Sequence, residues 1–234
     1  ILSTDAGCTL DKNWVKNIVE PFNDPKVDIV AGYYKGKPKT IFEKCLIPYV
    51  LVMPNKVNNK DFLPASRSMA FRKEFWKKVG GFPEEYSHNE DYVFAKKLKT
   101  ARASIIFKKD AIVYWRPRKN IKEAFIMFFR FALGDSESGI WRSKVLLLFA
   151  RYLVGFYFIF LSLLYISFIP ISIVFVAFVF YVFWSIKKNY SYVKEKKAIK
   201  ILPLLQFTAD VSVLSGSIVG TLKVITRFNY LNYL

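Results

Sequence analysis

The sequence predicts an α/β domain over residues 1–140, followed by a membrane region over residues 141–234. Three observations lead there. In the first part, short apolar runs such as Ile1–Thr4, Val27–Gly32 and Ala111–Trp115 alternate with segments whose apolar residues recur at helical spacing. In the second part, Leu153–Ile186 contains no charged residue. Third, hydrophobic residues make up 53% and aromatics 18% of the chain, yet the net charge is +18, which suits apolar membrane segments beside a basic, water-facing part. At 234 residues the chain is long enough to bury a real core.

The basic balance alone would also suit nucleic acid. No zinc-finger spacing, RNA-binding aromatic motif or dimeric basic helix accompanies it, so no nucleic-acid partner is expected. Anionic lipid headgroups and phosphorylated substrates account for the charge better. Cys8 and Cys45 are far apart, match no metal spacing and are too few for a disulfide framework, so reduced thiols are expected.

In chain order, Ile1–Thr4 reads as the end of a buried strand that delivers Asp5-Ala6-Gly7 to its carboxyl edge, where open α/β sheets bind ligands. A helix is expected from Leu10-Asp11 to Phe22, burying Trp14, Ile18 and Val15, then a strand over Val27–Gly32. Lys35–Lys39 reads as an exposed loop, and Ile41–Met53 as an apolar helix ended by Pro54. Leu63–Phe71 reads as a strand with a loop, and Arg72–Val79 as a short helix with Phe75, Trp76 and Val79 on its apolar side.

Gly80–Leu98 is the most informative stretch. Two glycines permit a tight turn, Phe82-Pro83 restarts the chain in extended form, and a helix follows, capped by Ser87 or Asn89. Phe94, Leu98 and Ala101 then share one buried face, and Glu90 and Asp91 fall in the first turn, where the helix dipole favours acids in any case. Ala103–Lys108 and Ala111–Trp115 read as two strands, and Ile121–Leu133 as a helix followed by a turn-rich break at Gly134–Gly139.

In a single helix the uncharged run Leu153–Ile186 would reach about 51 Å, well beyond a hydrocarbon core of about 30 Å. Two helices therefore share it, over about residues 145–186, with the reversal at Pro170 and Arg151 snorkelling from the first arm. Arg142 and Lys144 before the hairpin, and Lys187, Lys188, Lys194, Lys196, Lys197 and Lys200 after it, place both ends in the cytoplasm by the positive-inside rule. Ile201–Val224 is apolar again but carries Asp210. Such a charge costs a few kcal/mol at a bilayer centre, so an interfacial or packed helix is preferred there to a lipid-facing span. Arg227–Leu234 is an aromatic tail.

Several ordered motifs resemble the family 2 glycosyltransferases. They are Thr4-Asp5-Ala6-Gly7, the run from Leu63-Pro-Ala-Ser-Arg through Arg72-Lys73, Asn89-Glu90-Asp91, and the segment around Met127-Phe-Phe-Arg130-Phe131. The resemblance spans Asp5 to Gly220 and implies the later half of a GT-A nucleotide-sugar domain, with a membrane hairpin and a further apolar helix behind it. It implies Asp91 as the catalytic base and Glu90 as a residue that orients the acceptor or the loop. Asp5, Ser66, Arg67 and Arg130 would be donor-binding residues, and Asp5 would also ligate a divalent cation, magnesium or manganese. Gly7 stands where a second acid is usual, and Met127 and Phe131 replace the Gln and Trp of Q-x-x-R-W. Locally, Asp5 reads equally as a turn former, Ser66 and Arg67 as surface residues, and Arg130 as a cation on an interfacial helix.

The expected activity is inverting transfer of a sugar from a nucleotide-diphosphate donor to a lipid-linked or saccharide acceptor at the cytoplasmic face of the cell membrane, on a multi-pass protein. The base-binding half would lie upstream, so this stretch alone is expected to be inactive. The alternative from another class is a non-catalytic, transferase-like membrane scaffold, which Gly7 and Met127 favour.

Overall fold

A computed structural model describes residues 1–59, 61–86 and 88–231, with side chains described as far as Thr226. It is a mixed α/β chain that divides into two compact units, Ile1–Arg118 and Lys119–Leu234. The helix expected at Ile121–Leu133, grouped in sequence with the α/β part, therefore packs within the second unit.

The first unit is built on five strands: β1 (Leu2–Ser3), β2 (Cys8–Leu10), β3 (Ile29–Gly36), β4 (Met69–Phe71) and β5 (Ile105–Trp115), in the spatial order β1-β4-β3-β5-β2. Only β3 and β5 pair in parallel. Because β4 runs antiparallel to both β1 and β3, the carboxyl ends of β1, β3 and β5 and the start of β4 all meet at one edge of the sheet. Its helices are α1 (Trp14–Val19), α2 (Ile41–Val50), α3 (Lys73–Lys78) and α4 (Glu90–Thr100).

Several expectations are corrected. β1 is an edge strand with Ile1 and Leu2 exposed, not a buried one. Cys8–Leu10 pairs with β5, which delays α1 to Trp14; Trp14 and Ile18 are buried as expected, but Val15 faces solvent. β3 runs on through Tyr33–Gly36, and only Met69–Phe71 of the Leu63–Phe71 run is strand. The two strands expected around Lys109-Asp110 are one. β5 absorbs those residues as a bulge, its register against β3 jumping from Gly32↔Lys108 to Tyr33↔Ile112.

The bulge has a visible cause. Gly32 lies under the Ser68 side chain, and a Cβ there would overlap Ser68 Oγ and stand 2.7 Å from the Ala111 carbonyl oxygen. Ser68 is buried, accepts from Trp14 Nε1 at 2.9 Å and donates to that carbonyl at 3.2 Å, while Gly32 N–H donates to Ser68 O at 2.8 Å. This buried polar knot fixes the loop before β4. On the other side of the sheet, α4 lays Phe94 and Leu98 onto Ile29, Met69 and Phe71, each buried Phe or Leu contributing about 2 kcal/mol. Ala101, expected on that face, is half-exposed, and Ala95 is buried instead.

In the second unit, α5 (Ile121–Glu137) is capped by Asn120 Oδ1 accepting from Glu123 N–H at 2.9 Å, and Glu123 in turn accepts from Lys119 N–H at 3.0 Å. It continues through Gly134-Asp135, so the expected break starts only at Ser138. Asp135 there takes a bidentate contact from Arg142, at 2.6 and 2.8 Å. Three helices are long and apolar enough to cross a membrane: α6 (Ser143–Leu164), α7 (Phe168–Val193) and α8 (Ala198–Leu231, counted to Thr226). The reversal between α6 and α7 is at Tyr165–Ser167. Pro170 lies in the first turn of α7, where a missing N–H breaks no helical bond.

α8 packs closely on α5. Gly216 and Gly220 sit against the backbone of Phe129 and Leu133, and a Cβ on Gly220 would stand 2.8 Å from Leu133 O. Asp210 is buried among three helices: it accepts from Arg151 Nη2 at 2.8 Å, Tyr152 Oη at 3.1 Å, Tyr181 Oη at 2.7 Å and Gln206 Nε2 at 3.0 Å. Arg151, expected to snorkel, is held by this carboxylate instead, with its guanidinium 4.0 Å from the Tyr181 ring centroid.

Candidate functional site

The edge where β1, β3 and β5 end and β4 begins gathers four of the sequence-predicted residues around one hydroxyl. Ser66 Oγ donates to Asp5 Oδ1 at 2.6 Å and lies 3.3 Å from Asp91 Oδ2, while Ser66 N–H donates to the same Asp91 oxygen at 3.2 Å. Arg67 Nε donates to Asp5 Oδ2 at 3.4 Å. Two carboxylates from positions far apart in sequence thus lie each one hydrogen bond from the same serine.

Each is placed by a different element. Asp5 follows β1 in a turn closed by Cys8 N–H donating to Asp5 O at 3.2 Å, with Gly7 at φ 87°, a left-handed conformation that glycine adopts without strain. Ser66 and Arg67 are held by the Ser68 knot and by Ser3 Oγ, which donates to Ser66 O at 3.0 Å. Asp91 comes from the first turn of α4, whose buried face anchors it to the sheet.

Asn89 occupies the N-cap position of α4 but in the left-handed region, at φ 65°, and its side chain makes no capping bond. The other expected cap, Ser87, lies outside the described residues. A non-glycine residue in that conformation stores backbone strain, and here it stands two residues before Asp91.

Arg67 is wedged between two rings, its guanidinium carbon 5.2 Å from the Tyr34 centroid and 6.0 Å from that of Trp115. Both aromatics lie near the carboxyl ends of the parallel strands, and sequence reasoning missed both. The available signal was an aromatic at the end of each of two apolar runs, Tyr33-Tyr34 and Tyr114-Trp115, next to cations. The electrostatics reflect the same cluster. Burial pushes the Tyr34 hydroxyl up from its ordinary range, Arg67 opposes the shift and Asp91 adds to it. Burial, and then the Asp5 charge, push the Cys8 thiol up, with Arg67 again opposing.

The remaining predicted residues make none of these contacts. Glu90 is exposed at the start of α4, and Arg130 is exposed on α5 in the second unit, with Met127 buried beside it. Among the described residues no group of three or more His, Cys, Asp or Glu side chains is arranged to hold a metal ion. Asp5 does supply a hard oxygen donor set, half-exposed, of the kind that holds magnesium together with phosphate oxygens. Chemically, the edge offers a fixed carboxylate beside a second carboxylate and a stacked guanidinium. No family model and no curated protein matches the chain.

Proposed function

We propose that the first unit is the later half of a GT-A glycosyltransferase domain of the family 2 type, anchored to the cytoplasmic face of the cell membrane by the apolar helices. It would transfer a sugar with inversion from a nucleotide diphosphate to a lipid-linked or saccharide hydroxyl. The observation that carries this reading is that Asp5 and Asp91, named from separate motifs, meet at the Ser66 hydroxyl, with Arg67 on Asp5, at the edge where open α/β sheets bind ligands.

In this reaction the acceptor oxygen attacks the anomeric carbon, the bond from that carbon to the diphosphate oxygen breaks, and the acceptor's proton passes to Asp91. Ser66 N–H fixes Asp91 Oδ2 and leaves Oδ1 unbonded among the described residues, which suits a general base. Arg67, beside the Tyr34 and Trp115 rings, would pair with the departing diphosphate, since a planar guanidinium matches phosphate oxygens. Glu90 would orient the acceptor. A divalent ion on Asp5, when bound, would neutralise the diphosphate charge.

The test is Asp91→Asn in the full-length protein, with nucleoside-diphosphate release measured over a panel of UDP- and GDP-sugars and nucleotide affinity measured in parallel. Loss of a general base should lower turnover by about 10²–10⁴-fold with affinity nearly unchanged. Near-normal turnover would remove Asp91 from the mechanism.

A further inference from the structure

We infer that the edge of the first unit where β3 and β5 end is a docking face for anionic lipid headgroups. The two strands are parallel and end level, with Lys35↔Tyr114 and Gly36↔Trp115 in register and Lys37 N–H donating to Trp115 O at 2.8 Å. Both then leave the sheet through the same kind of triplet, Lys37-Pro38-Lys39 after β3 and Arg116-Pro117-Arg118 after β5. Proline cannot donate to a ladder, so each triplet ends its strand and turns its cations outward. With Lys35, five cations thus gather at one edge. All five are exposed, and none is paired with a carboxylate among the described residues.

The surroundings do not cancel this charge. No acid occurs from Ile29 to Phe42 or from Ala111 to Lys122. The acids near these strand ends already have partners: Asp5 and Asp91 are held by Ser66 and Arg67, and two more meet the strand ends directly. Glu43 is buried and accepts from Lys39 N–H at 2.5 Å, and Asp11 accepts from Tyr114 Oη at 3.2 Å. Elsewhere on the unit three cations are paired, Lys108 with Glu20 and Asp110, Lys99 with Asp61 and Arg67 with Asp5.

Two features favour a lipid surface over a free phosphate. The cations are spread over two chain segments with exposed heads, one of them, Lys37, lying over the Tyr114 ring at 5.9 Å, the amphipathic pairing of membrane interfaces. In addition, the same chain carries helices long and apolar enough to cross a membrane, so a lipid surface is a partner within its reach. The inference stands on charge and topology alone and does not require the transferase reading.

The test is amine acetylation of the full chain in nanodiscs, read by mass spectrometry at each lysine. Lys73 and Lys77 of α3 serve as internal references, since α3 follows β4 and lies at the opposite edge of the sheet. On replacing phosphatidylcholine with phosphatidylglycerol-rich nanodiscs, Lys35, Lys37 and Lys39 should slow on the order of fivefold relative to the references. Raising the salt to about 1 M, where the screening length is about 3 Å, should restore them. Equal rates in the two lipids would overturn the inference. So would protection by inorganic pyrophosphate in phosphatidylcholine nanodiscs that matches the lipid effect, because the face would then be a soluble-phosphate site.

Discussion

At the scale of single residues, the two carboxylates illustrate what a sequence displays and what it hides. Asp5 and Asp91 could be singled out because a loop after a strand and the first turn of a helix are places where an acid has a chemical use. Their shared partner could not be read from local sequence. Ser66 meets both only because β1, β4 and α4 bring three loops to one edge, and that is long-range pairing. Arg67 stands out in the sequence as a cation beside Ser66, but its place beside the Tyr34 and Trp115 rings depends on where β3 and β5 end in space. Cys8 offers a probe of this neighbourhood. Its thiol is raised mainly by burial, next by Asp5, and lowered by Arg67. A raised folded value favours the protonated thiol, so this contribution to stability is complete below the unfolded value and is lost as pH rises through the folded one. Alkylation of Cys8, followed against pH in EDTA, should therefore have a higher midpoint in the folded than in the unfolded chain. Asp5→Asn should bring the folded midpoint down and Arg67→Gln should move it further up. A midpoint indifferent to both changes would mean that the three side chains are not neighbours.

At the scale of elements, helices were read more truly than strands. The 3.6-residue periodicity of α4 marked both its existence and its buried Phe94 and Leu98, because those contacts recur within one segment. Strand limits were missed where pairing decides them. Cys8–Leu10 becomes a strand because β5 lies beside it, and the polar Lys109-Asp110 stays within β5 because a bulge accommodates it. Glycines show the same dependence on neighbours. Gly32→Ala should destabilise the fold by about 1–3 kcal/mol, since the new methyl meets Ser68 and the Ala111 carbonyl. Gly155→Ala is the matched control: it lies in the middle of α6 with nothing within 4 Å of its Cβ position, so gaining helix propensity should leave stability unchanged or improved. Denaturation midpoints of the two variants test the contrast, and equal midpoints would mean that the close approach at Gly32 is absent.

At the scale of the whole molecule, the number of membrane crossings turns on α8. Sequence reasoning set it apart from the hairpin because Asp210 is costly in lipid, and the cost is real only for an unpaired acid. Here the carboxylate is met by Arg151 and Tyr152 from α6, Tyr181 from α7 and Gln206 from its own helix, so its polar demands are satisfied inside the protein. The face carrying Gly216 and Gly220 is likewise covered, by α5. Asp210 is then no obstacle to an α8 in lipid, but Lys223 near the end of α8 pairs with Glu137 at 3.4 Å, four residues before Trp141, so the end of α8 and the start of α6 lie on the same side of the membrane. Trp141 before α6 and Lys194 after α7 should lie on the cytoplasmic side, where Lys194, Lys196, Lys197 and Lys200 satisfy the charge bias. Ile166 in the α6–α7 turn, exposed and in a left-handed conformation, should lie on the far side. A cysteine at Thr226, the last residue of the third apolar stretch and three residues after Lys223, should be reached from the same side as Trp141, the cytoplasm. Single-cysteine variants at these four positions, with Cys8 and Cys45 replaced, can be labelled in intact cells with an impermeant maleimide. Labelling of 166 alone is the expected result and gives the hairpin with the end of α8 on the cytoplasmic side, whereas labelling of 166 and 226 but not of 141 or 194 would mean that Glu137 and Lys223 are not neighbours. Labelling of 194 from outside would break the hairpin itself, because α6 and α7 are joined by a short turn and cannot then both cross.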